Sequence, residues 1–368
     1  MKTTGIVVEY NPFHNGHLYH IQKAREITQC DCLVAVMSGN FTQRGEVAIC
    51  DKFQRAETAV LNGVDLVIEL PYIYATQAAS KFAYGAIESL KLCHIDALVF
   101  GSESNNLANL KEISEFSINV DHLKQKMDDG HSYVKSYSLL QGSFYPNDIL
   151  GIAYLKAIAN SNIKPYTILR TNSYHQKNID SSIASATAIR EAIKNHTDYQ
   201  NTTVMEINEY HDLKELYPYI RNLLLTLPRD YLQKIFLVSE GIEKHLINNA
   251  KQFADFDEFI NHATTRRYTT ARIQRTLLQI INQVAKKDVE NLEPLNFIRV
   301  LAFNQNGQKL LKKLKQEKVK ICTRFADLPT NYQKMSYKTT FIYSSLFDKT
   351  TAQKIMLNEI GGPIIVNN

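Results

Sequence analysis

The sequence predicts an α/β fold built on a doubly wound parallel sheet, followed by a mainly helical C-terminal domain. Short apolar runs alternate with helical patterns over the first half of the chain. After about residue 200, apolar residues recur at helical spacing and few strand patterns remain. At 368 residues, the chain is also longer than one ordinary domain. We therefore expect two domains, over residues 1–200 and 201–368.

The predicted strands of the first domain are short and largely apolar, as expected for strands that helices cover on both faces. They cover residues 5–9, 32–37, 65–69, 97–100 and 166–169. The helical patterns between them cover residues 18–28, 51–62, 77–92 and 149–159. Gly63 would end the second helix, and Asn147 or Asp148 would cap the last. Ligands of such sheets bind beyond the carboxyl ends of the strands.

The remaining segments are polar or helical in pattern. Residues 105–141 are charged and only weakly periodic, and we interpret them as a helical insertion in the first domain. In the second domain, the spacing predicts helices over residues 213–225, 229–248, 256–261, 270–284 and 295–314, and a strand over residues 319–322.

The composition favours a cytoplasmic protein with reduced cysteines. Five cysteines without regular spacing argue against a disulfide framework, and no second cysteine pair completes a zinc site. No residue is assigned to a metal, and whether a dedicated metal site exists stays open. The first residues lack the apolar core of a signal peptide, and no apolar stretch reaches the roughly 18 residues that span a membrane. The net charge of +5 permits a nucleic-acid partner without requiring one.

The most informative motif is His14-Asn15-Gly16-His17, which follows the first predicted strand and opens the first predicted helix. Such a turn offers free backbone N–H groups and the positive end of a helix dipole, which favour an anion. Gly16 leaves room for a phosphate to approach the backbone. The two imidazoles could donate hydrogen bonds to the charge that grows on phosphorus. Taken alone, the four residues favour a plain turn with two surface histidines.

A second candidate for phosphate binding is Ser185-Ala186-Thr187-Ala188-Ile189-Arg190, which opens a predicted helix that runs to about Lys194. Ser185 or Thr187 could cap this helix and bind a phosphate, and Arg190 could reach the same anion. Alone, the segment is a plain capped helix. Paired with the histidine motif, it resembles the second signature of the nucleotidyltransferase superfamily, in which HxGH and an ISSTxIR-like motif bracket the triphosphate. Ala186 replaces one serine of that signature.

Longer blocks are similar to the bacterial tRNA(Met) cytidine acetate ligase family. Residues 5–20 read GIVVEYNPFHNGHLYH, and further blocks begin at Met37, Gly63, Phe100, Asn147, Arg266 and Arg299. The resemblance covers nearly the whole chain and implies a nucleotidyltransferase-like Rossmann fold. It also implies an ATP-dependent ligase that makes N4-acetylcytidine at the wobble position of elongator tRNA(Met) from acetate, through acetyl-AMP. Mg²⁺ is expected to accompany ATP.

The resemblance also implies roles for individual residues. His14 and His17 would be catalytic, because they could stabilise the α-phosphoryl group while acetate displaces pyrophosphate. The residues expected to bind ATP are Val7, Val8, Glu9, Tyr10, Asn11, Pro12, Phe13, His14, Asn15, Gly16, His17, Leu18, Tyr19, His20, Gly101, Asn147, Arg170, Ser185, Thr187 and Arg190. Without the family, Gly101 is equally a tight turn and Asn147 a helix cap, and Arg170 could pair with a carboxylate.

Several charged residues near these motifs have less specific signals. Gln43 and Arg44 lie in a loop beside Gly45 and are candidates for contacts to acetate or triphosphate. We interpret Asp51, Lys52 and Arg55 as a solvated helix face. Glu69 and Glu103 could orient other groups, but neither has an obvious partner in the sequence.

The second domain carries the candidate surface for tRNA, which consists of Arg266, Arg267, Tyr268, Arg272 and Arg275. Guanidinium groups suit phosphates, and Tyr268 could stack on a base or bind a phosphate. A lysine run over residues 309–320 is more typical of a solvated helix face.

Two other functions stay open. One is a small-molecule adenylyltransferase that makes a coenzyme precursor, although such an enzyme needs no large basic helical domain. The other is a non-catalytic RNA-binding protein with a vestigial nucleotide site, against which the intact motifs argue. The sequence also leaves open the acetate pocket, the selection of one tRNA and the oligomeric state.

Overall fold

The computed structural model describes residues 1–115, 145–170, 183–207 and 209–367. Its strands are β1 (Thr3–Val8), β2 (Cys32–Ser38), β3 (Leu66–Leu70), β4 (Ala97–Ser102), β5 (Lys164–Leu169), β6 (Phe297–Phe303), β7 (Lys320–Cys322) and β8 (Ile364–Ile365). They form one sheet in the order β5-β4-β1-β2-β3-β6-β7, with β8 beside β6. The pairs are parallel except for β3 and β6, which are antiparallel. The predicted α/β class is therefore confirmed.

The helices of the described residues fall into two groups. Around the sheet lie α1 (Asn15–Thr28), α2 (Lys52–Leu61), α3 (Tyr72–Ala75), α4 (Ala79–Leu92), α5 (Leu107–Glu115), α6 (Pro146–Ile158) and α7 (Ala186–Lys194). After residue 200 follow α8 (Leu213–Thr226), α9 (Arg229–Leu232), α10 (Ile242–Gln252), α11 (Phe256–Ala263), α12 (Thr270–Ile281), α13 (Lys286–Glu290), α14 (Gln305–Gln316), α15 (Thr330–Ser344) and α16 (Lys349–Ile360).

Both faces of the sheet are buried, as the apolar strands predict. In β2, Leu33, Ala35 and Met37 contribute to the core that includes α1, α2 and α7. Cys32, Val34 and Val36 alternate with them and contribute to the opposite core, which includes α4, α6 and α14. A third core joins the helices from α8 to α12 with α15.

The predicted helix over residues 295–314 is wrong in its first half, because β6 occupies Phe297–Phe303. Its run FIRVLAF is apolar on both faces, and periodicity cannot distinguish a short run of this kind from a buried helix. Arg299 interrupts the run but is itself only 7% exposed, because it is paired with buried carboxylates. Strands from both sides of residue 200 therefore share the sheet.

Two further expectations need correction or fall partly outside the description. The predicted helix over residues 229–248 is broken between α9 and α10, where Leu237, Glu240 and Gly241 have positive φ angles. The expected insertion over residues 105–141 is described only to Glu115, where α5 is helical, and its remainder lies outside the described residues.

Two bulk properties follow from the side-chain environments. No disulfide joins the five cysteines, all of which lie in the described residues, and four of them are buried. Within the described ranges, no helix combines the length and the apolar character required to cross a membrane.

Candidate active site

A cleft of about 710 Å³ opens at the carboxyl ends of β1, β4 and β5. The first turns of α1, α6 and α7, the loop after β2 and the N-terminal half of α12 complete its walls. Both motifs expected to bracket a triphosphate thus line one cavity, together with Gly101, Asn147 and Arg170. Four residues expected to bind ATP are not among those that line it: Pro12, Phe13, Asn15 and Leu18.

His14 and His17 form the N-terminal cap of α1. His14 Nδ1 accepts a hydrogen bond from the Gly16 amide at 3.1 Å, and His17 Nδ1 accepts one from the His14 amide at 3.1 Å. The arrangement is a capping box in which imidazoles replace the usual Ser or Thr and Glu. The two rings stack with their centroids 3.7 Å apart. The spacing of three residues is therefore what lets the second ring return to the backbone of the cap.

These two hydrogen bonds determine which ring nitrogen carries the proton. A neutral imidazole that accepts at Nδ1 is protonated at Nε2. Burial, assisted by Arg170 and Arg190, lowers the pKa of His14 to about 3. Burial also holds the pKa of His17 well below its ordinary value. Both rings are therefore neutral at pH 7, and each can donate one hydrogen bond from Nε2.

Gly16→Ala is expected to displace the His14 ring. A Cβ at residue 16 would lie 2.8 Å from His14 Cε1 and 3.0 Å from Nδ1, which is too close for packed atoms. We expect the nucleotide-dependent rate to fall by up to about 10²-fold, because misplaced groups catalyse poorly. Thermal unfolding should show only the loss of one cap, about 2–4 °C.

The control for this prediction is Gly362→Ala, whose Cβ would meet only the Thr323 carbonyl at 3.9 Å. If Gly16→Ala retained the full rate, the His14 ring would not be held by the space that Gly16 leaves.

Four arginines also line the cleft: Arg44, Arg170, Arg190 and Arg275. Arg190 Nη1 donates to the Asn11 carbonyl at 2.7 Å, and its Nη2 pairs with Glu46 at 3.1 Å. Ser185 caps α7 by accepting a hydrogen bond from the Ala188 amide at 3.1 Å, as one of the two predicted caps. Positive charge next to two neutral donors is an arrangement suited to a polyanion.

Glu103, which had no obvious partner in the sequence, joins the end of β4 to the start of α6. It accepts hydrogen bonds from the amides of Asn147 and Asp148 and from Asn147 Nδ2, the last at 2.6 Å. The expectation that Asn147 or Asp148 caps α6 is wrong, because the cap position is Tyr145. Asp148 is buried and accepts a hydrogen bond from Ser102 Oγ, whereas Asn147 lines the cleft.

The loop after β2 packs against α12. Gln43 donates from its side chain to the Gln77 carbonyl, and its own carbonyl accepts from Arg275 Nη1 at 2.9 Å. Gly45 has a φ of +81°, and a Cβ there would lie 2.5 Å from the Arg275 amide. Gln43 and Arg44 both line the cleft, and Gln43 also joins the loop to Gln77 and Arg275.

Sequence reasoning missed the contribution of α12 to this cleft. Thr269, Thr270, Ala271 and Gln274 line it, as does Arg275, which we had expected only in the tRNA surface. The glycine in the loop after β2 was a signal of close backbone approach, but it did not reveal which element would approach.

The candidate tRNA surface lies beside the cleft but differs from the expectation at Tyr268, in addition to Arg275, which lines the cleft itself. Arg266 and Arg267 are exposed, and Arg272 is partly exposed. Tyr268 is only 7% exposed, and its hydroxyl donates to the Glu240 carbonyl at 2.8 Å. The guanidinium groups of Arg267 and Arg272 lie 5.6 Å and 5.1 Å from its ring centroid. The expectation that Tyr268 contacts RNA is therefore wrong, because the ring is buried and supports the arginines instead.

The interpretation of Asp51, Lys52 and Arg55 as a solvated face is also wrong. Asp51 caps α2, and Lys52 and Arg55 are 2% and 0% exposed. Arg55 donates to the main-chain carbonyls of Cys50, Glu9, Ser38 and Gly39. Amphipathic spacing does not show whether a charged side chain pairs with buried carboxylates or carbonyl groups of other elements.

Lys52 belongs to a buried charge network with Glu69, Arg299 and Glu359. Lys52 Nζ lies 2.6 Å from Glu69 Oε1 and 2.8 Å from Glu359 Oε2. Arg299 Nη1 lies 2.9 Å from Glu69 Oε2 and 2.7 Å from Glu359 Oε1. Two cations and two carboxylates thus balance one another between α2, β3, β6 and α16.

Comparisons with known proteins agree over almost the whole chain. A family model described as HIGH Nucleotidyl Transferase matches residues 1–358. A tRNA(Met) cytidine acetate ligase of Oceanobacillus iheyensis is 36% identical over an alignment of 402 residues that covers 100% of both chains. One of Limosilactobacillus reuteri is 41% identical over 331 residues, which cover 86% of this chain and 88% of the relative.

Solved structures extend this likeness to the fold. The apo crystal structure of Thermotoga maritima TmcAL superposes with a TM-score of 0.89 at 30% sequence identity, and covers 100% of both chains. A second crystal form of that protein, bound with alpha-thio ATP, superposes with a TM-score of 0.88 at 32% identity, again over 100% of both chains.

Proposed function

Because this chain belongs to the tRNA(Met) cytidine acetate ligase family of HIGH nucleotidyl transferases, we propose that it acetylates N4 of the wobble cytidine in elongator tRNA(Met). It is an ATP-dependent ligase that forms a C–N bond in tRNA. The proposal adds the acetate donor, the acetyl-AMP intermediate and the residues that act on it. The proposed substrate places the reaction in the cytoplasm.

The first step of the proposed reaction is adenylation of acetate. An acetate oxygen attacks the α-phosphorus of ATP, the bond to the bridging oxygen breaks, and pyrophosphate leaves. Negative charge grows on the α-phosphoryl oxygens, where hydrogen-bond donors that are already in place stabilise the transition state. The observation that carries the proposal is that both Nδ1 atoms, of His14 and His17, accept backbone N–H groups, so that both Nε2–H groups can serve as these donors.

The second step is transfer of the acetyl group to cytosine. The exocyclic amine is a weak nucleophile because its lone pair is delocalised into the ring. It needs the activated carbonyl of the mixed anhydride, from which AMP is a good leaving group. Arg44, Arg170 and Arg190 line the same cleft and would hold first the triphosphate and then the AMP phosphate.

Mg²⁺ is proposed as part of the substrate rather than as a resident ion. In the part of the chain that the structure describes, no three His, Cys, Asp or Glu side chains come together as ligands. The ion would therefore enter on the triphosphate oxygens, which Mg²⁺ prefers to all-protein cages.

The decisive experiment is incubation with ATP, labelled acetate and bulk tRNA. We expect label in RNA at N4 of one cytidine, together with AMP and pyrophosphate. Label found only in a nucleotide cofactor would instead indicate a small-molecule adenylyltransferase. Binding of tRNA without turnover would indicate an RNA-binding protein. Mass analysis of tRNA from cells that lack the protein should show the loss of one acetyl group.

We also propose that four arginines guide tRNA into the cleft. Arg266 and Arg267 are exposed just before α12, and Arg272 and Arg275 share one face of this helix. Arg266→Ala with Arg267→Ala should weaken tRNA binding and reduce the slope of log affinity against log salt by about 1.5, because two exposed phosphate contacts are lost. The measurement is a salt titration of tRNA affinity.

The matched control is Lys312→Ala with Lys315→Ala, which removes the same charge from the exposed face of α14. Equal losses in the two double variants would show a general effect of charge and would argue against a specific arginine surface.

A further inference from the structure

We propose that Glu9 is the general base of the acyl-transfer step, and that its carboxylate takes the proton from N4 of cytosine. This inference rests on the proposed function. As N4 attacks the acetyl carbonyl, the N–C bond forms and the bond between the carbonyl carbon and the phosphate oxygen breaks. The electron pair of that bond leaves with AMP, and the N4 proton goes to Glu9, which later returns it to water.

The structure holds the Glu9 carboxyl group at one oxygen. Glu9 follows β1 directly and lines the cleft. Its Oε1 accepts hydrogen bonds from the Gln43 amide at 2.7 Å and from Ser38 Oγ at 3.2 Å. Its main-chain carbonyl is held by the buried Arg55. The side chain is thus fixed through Oε1, and Oε2 makes no hydrogen bond to any other described residue.

A carboxylate that lines an anion-binding cleft disfavours ATP binding. Its presence there therefore indicates a role in another step of the reaction. Glu46, the other acidic residue that lines this cleft, is neutralised by its ion pair with Arg190. Glu9 has no ion pair with a described cation. It is therefore the lining carboxylate that is left to accept a proton, and no other acidic side chain among the described lining residues shares that property.

The residues around Glu9 suit both the binding of a flat pyrimidine ring and the transfer of a proton to the carboxylate. Ala78, Ala79, Phe82 and Tyr154 line the same cleft and offer apolar surface to a pyrimidine ring. Burial, reinforced by Glu46, raises the pKa of Glu9 above its ordinary value of 4.5, against the lowering effects of Gln43, Ser38 and Arg44. A raised pKa makes a carboxylate a stronger base.

The test separates the two half-reactions. Glu9→Gln keeps the size and the acceptor oxygen but cannot take a proton. With acetyl-AMP supplied and ATP omitted, we expect single-turnover acetylation of tRNA to fall at least about 10²-fold. Acetate-dependent exchange of pyrophosphate into ATP, which needs no proton acceptor, should change by a much smaller factor than acetyl transfer. Glu57→Gln, the same change on the exposed face of α2, should affect neither reaction.

The outcomes distinguish this inference from the proposed function. If the wild type shows no acetate-dependent exchange, the proposed function fails. If it does, but Glu9→Gln transfers acetyl at the wild-type rate or loses both half-reactions equally, Glu9 is not the base. Should Glu9→Gln fail to fold, the pH dependence of the wild-type transfer rate still tests the proposal. This rate must rise with pH as a group with a pKa above 4.5 loses its proton. The polar and charged groups that face Glu9 are those of Ser38, Gln43, Arg44, Glu46 and Tyr154. A transfer rate that does not change with pH would overturn the proposal.

Discussion

Replacing His14 or His17 with alanine should reduce acetate-dependent pyrophosphate release by about 10²–10³-fold each, as expected for the loss of one donor to a developing oxyanion. Each ring accepts a backbone hydrogen bond at Nδ1 and can donate from Nε2. Affinity for tRNA should survive, because the arginine surface lies outside the histidine cap. The measurement is pyrophosphate release with saturating acetate, alongside a tRNA-binding titration.

Alanine at residue 14 also removes a helix cap, so a second variant must separate stability from chemistry. Asparagine is a good N-cap, and His14→Asn should therefore fold like the wild type but lack a donor that reaches the phosphate. His94→Asn is the control. His94 precedes β4, at the amino ends of the strands and away from the cleft, and it has a φ of 50°, which asparagine tolerates. Full activity in the alanine variants at both residues would remove the imidazoles from the mechanism.

Glu359→Ala should give the largest loss of stability. Its carboxylate is 0% exposed and accepts from Arg299, Lys52, Ser336 and Thr340. Removing it leaves an uncompensated buried positive charge, and such losses cost about 3–5 kcal/mol of unfolding free energy. Chemical denaturation should show this loss, whereas exposed Glu290→Ala should change the free energy of unfolding little. A loss no larger than that of the Glu290 control would mean that water reaches the network.

The same carboxylate should contribute to acid sensitivity. Burial alone would raise the pKa of Glu359, but Lys52 and Arg299 outweigh it and lower the pKa to about 2. A folded-state pKa below the unfolded value gives stability that is complete above about pH 4.5 and is lost as the pH falls towards 2. Glu359→Gln should flatten the decline of unfolding free energy over this interval.

The sheet could be predicted from the sequence because its strands are apolar on both faces and alternate with amphipathic helices. The same property misled us at Phe297–Phe303, where a run buried on both faces resembles a core helix. Contacts between residues that are far apart in the sequence could not be predicted either. Lys52 reads as a helix-surface lysine, and only the folded chain places Glu69 and Glu359 beside it.

The candidate site was predictable where a motif is local. The histidine motif was located correctly at the start of α1, because it is formed within four residues. Its geometry was not predicted, since His14 is buried and the two imidazoles accept from the His14 and Gly16 amides. Contacts between distant segments determine the roles of Glu103, Gln43 and the N-terminal half of α12, and one sequence does not show which segments meet. Tyr268 was misread because an aromatic residue between arginines looks like a stacking platform, whereas burial decides its role.

The antiparallel strand β6 has a consequence for synthesis of the protein. Until residues 297–303 leave the ribosome, β3 presents an unpaired edge of Leu66–Leu70, an apolar strand able to pair with other chains. A fragment that ends near residue 200 would keep that edge permanently. The nascent N-terminal half must therefore wait for most of the polypeptide before its sheet is complete. Protection by a chaperone or by rapid docking of helices would matter more here than in a chain whose sheet is formed by one continuous segment.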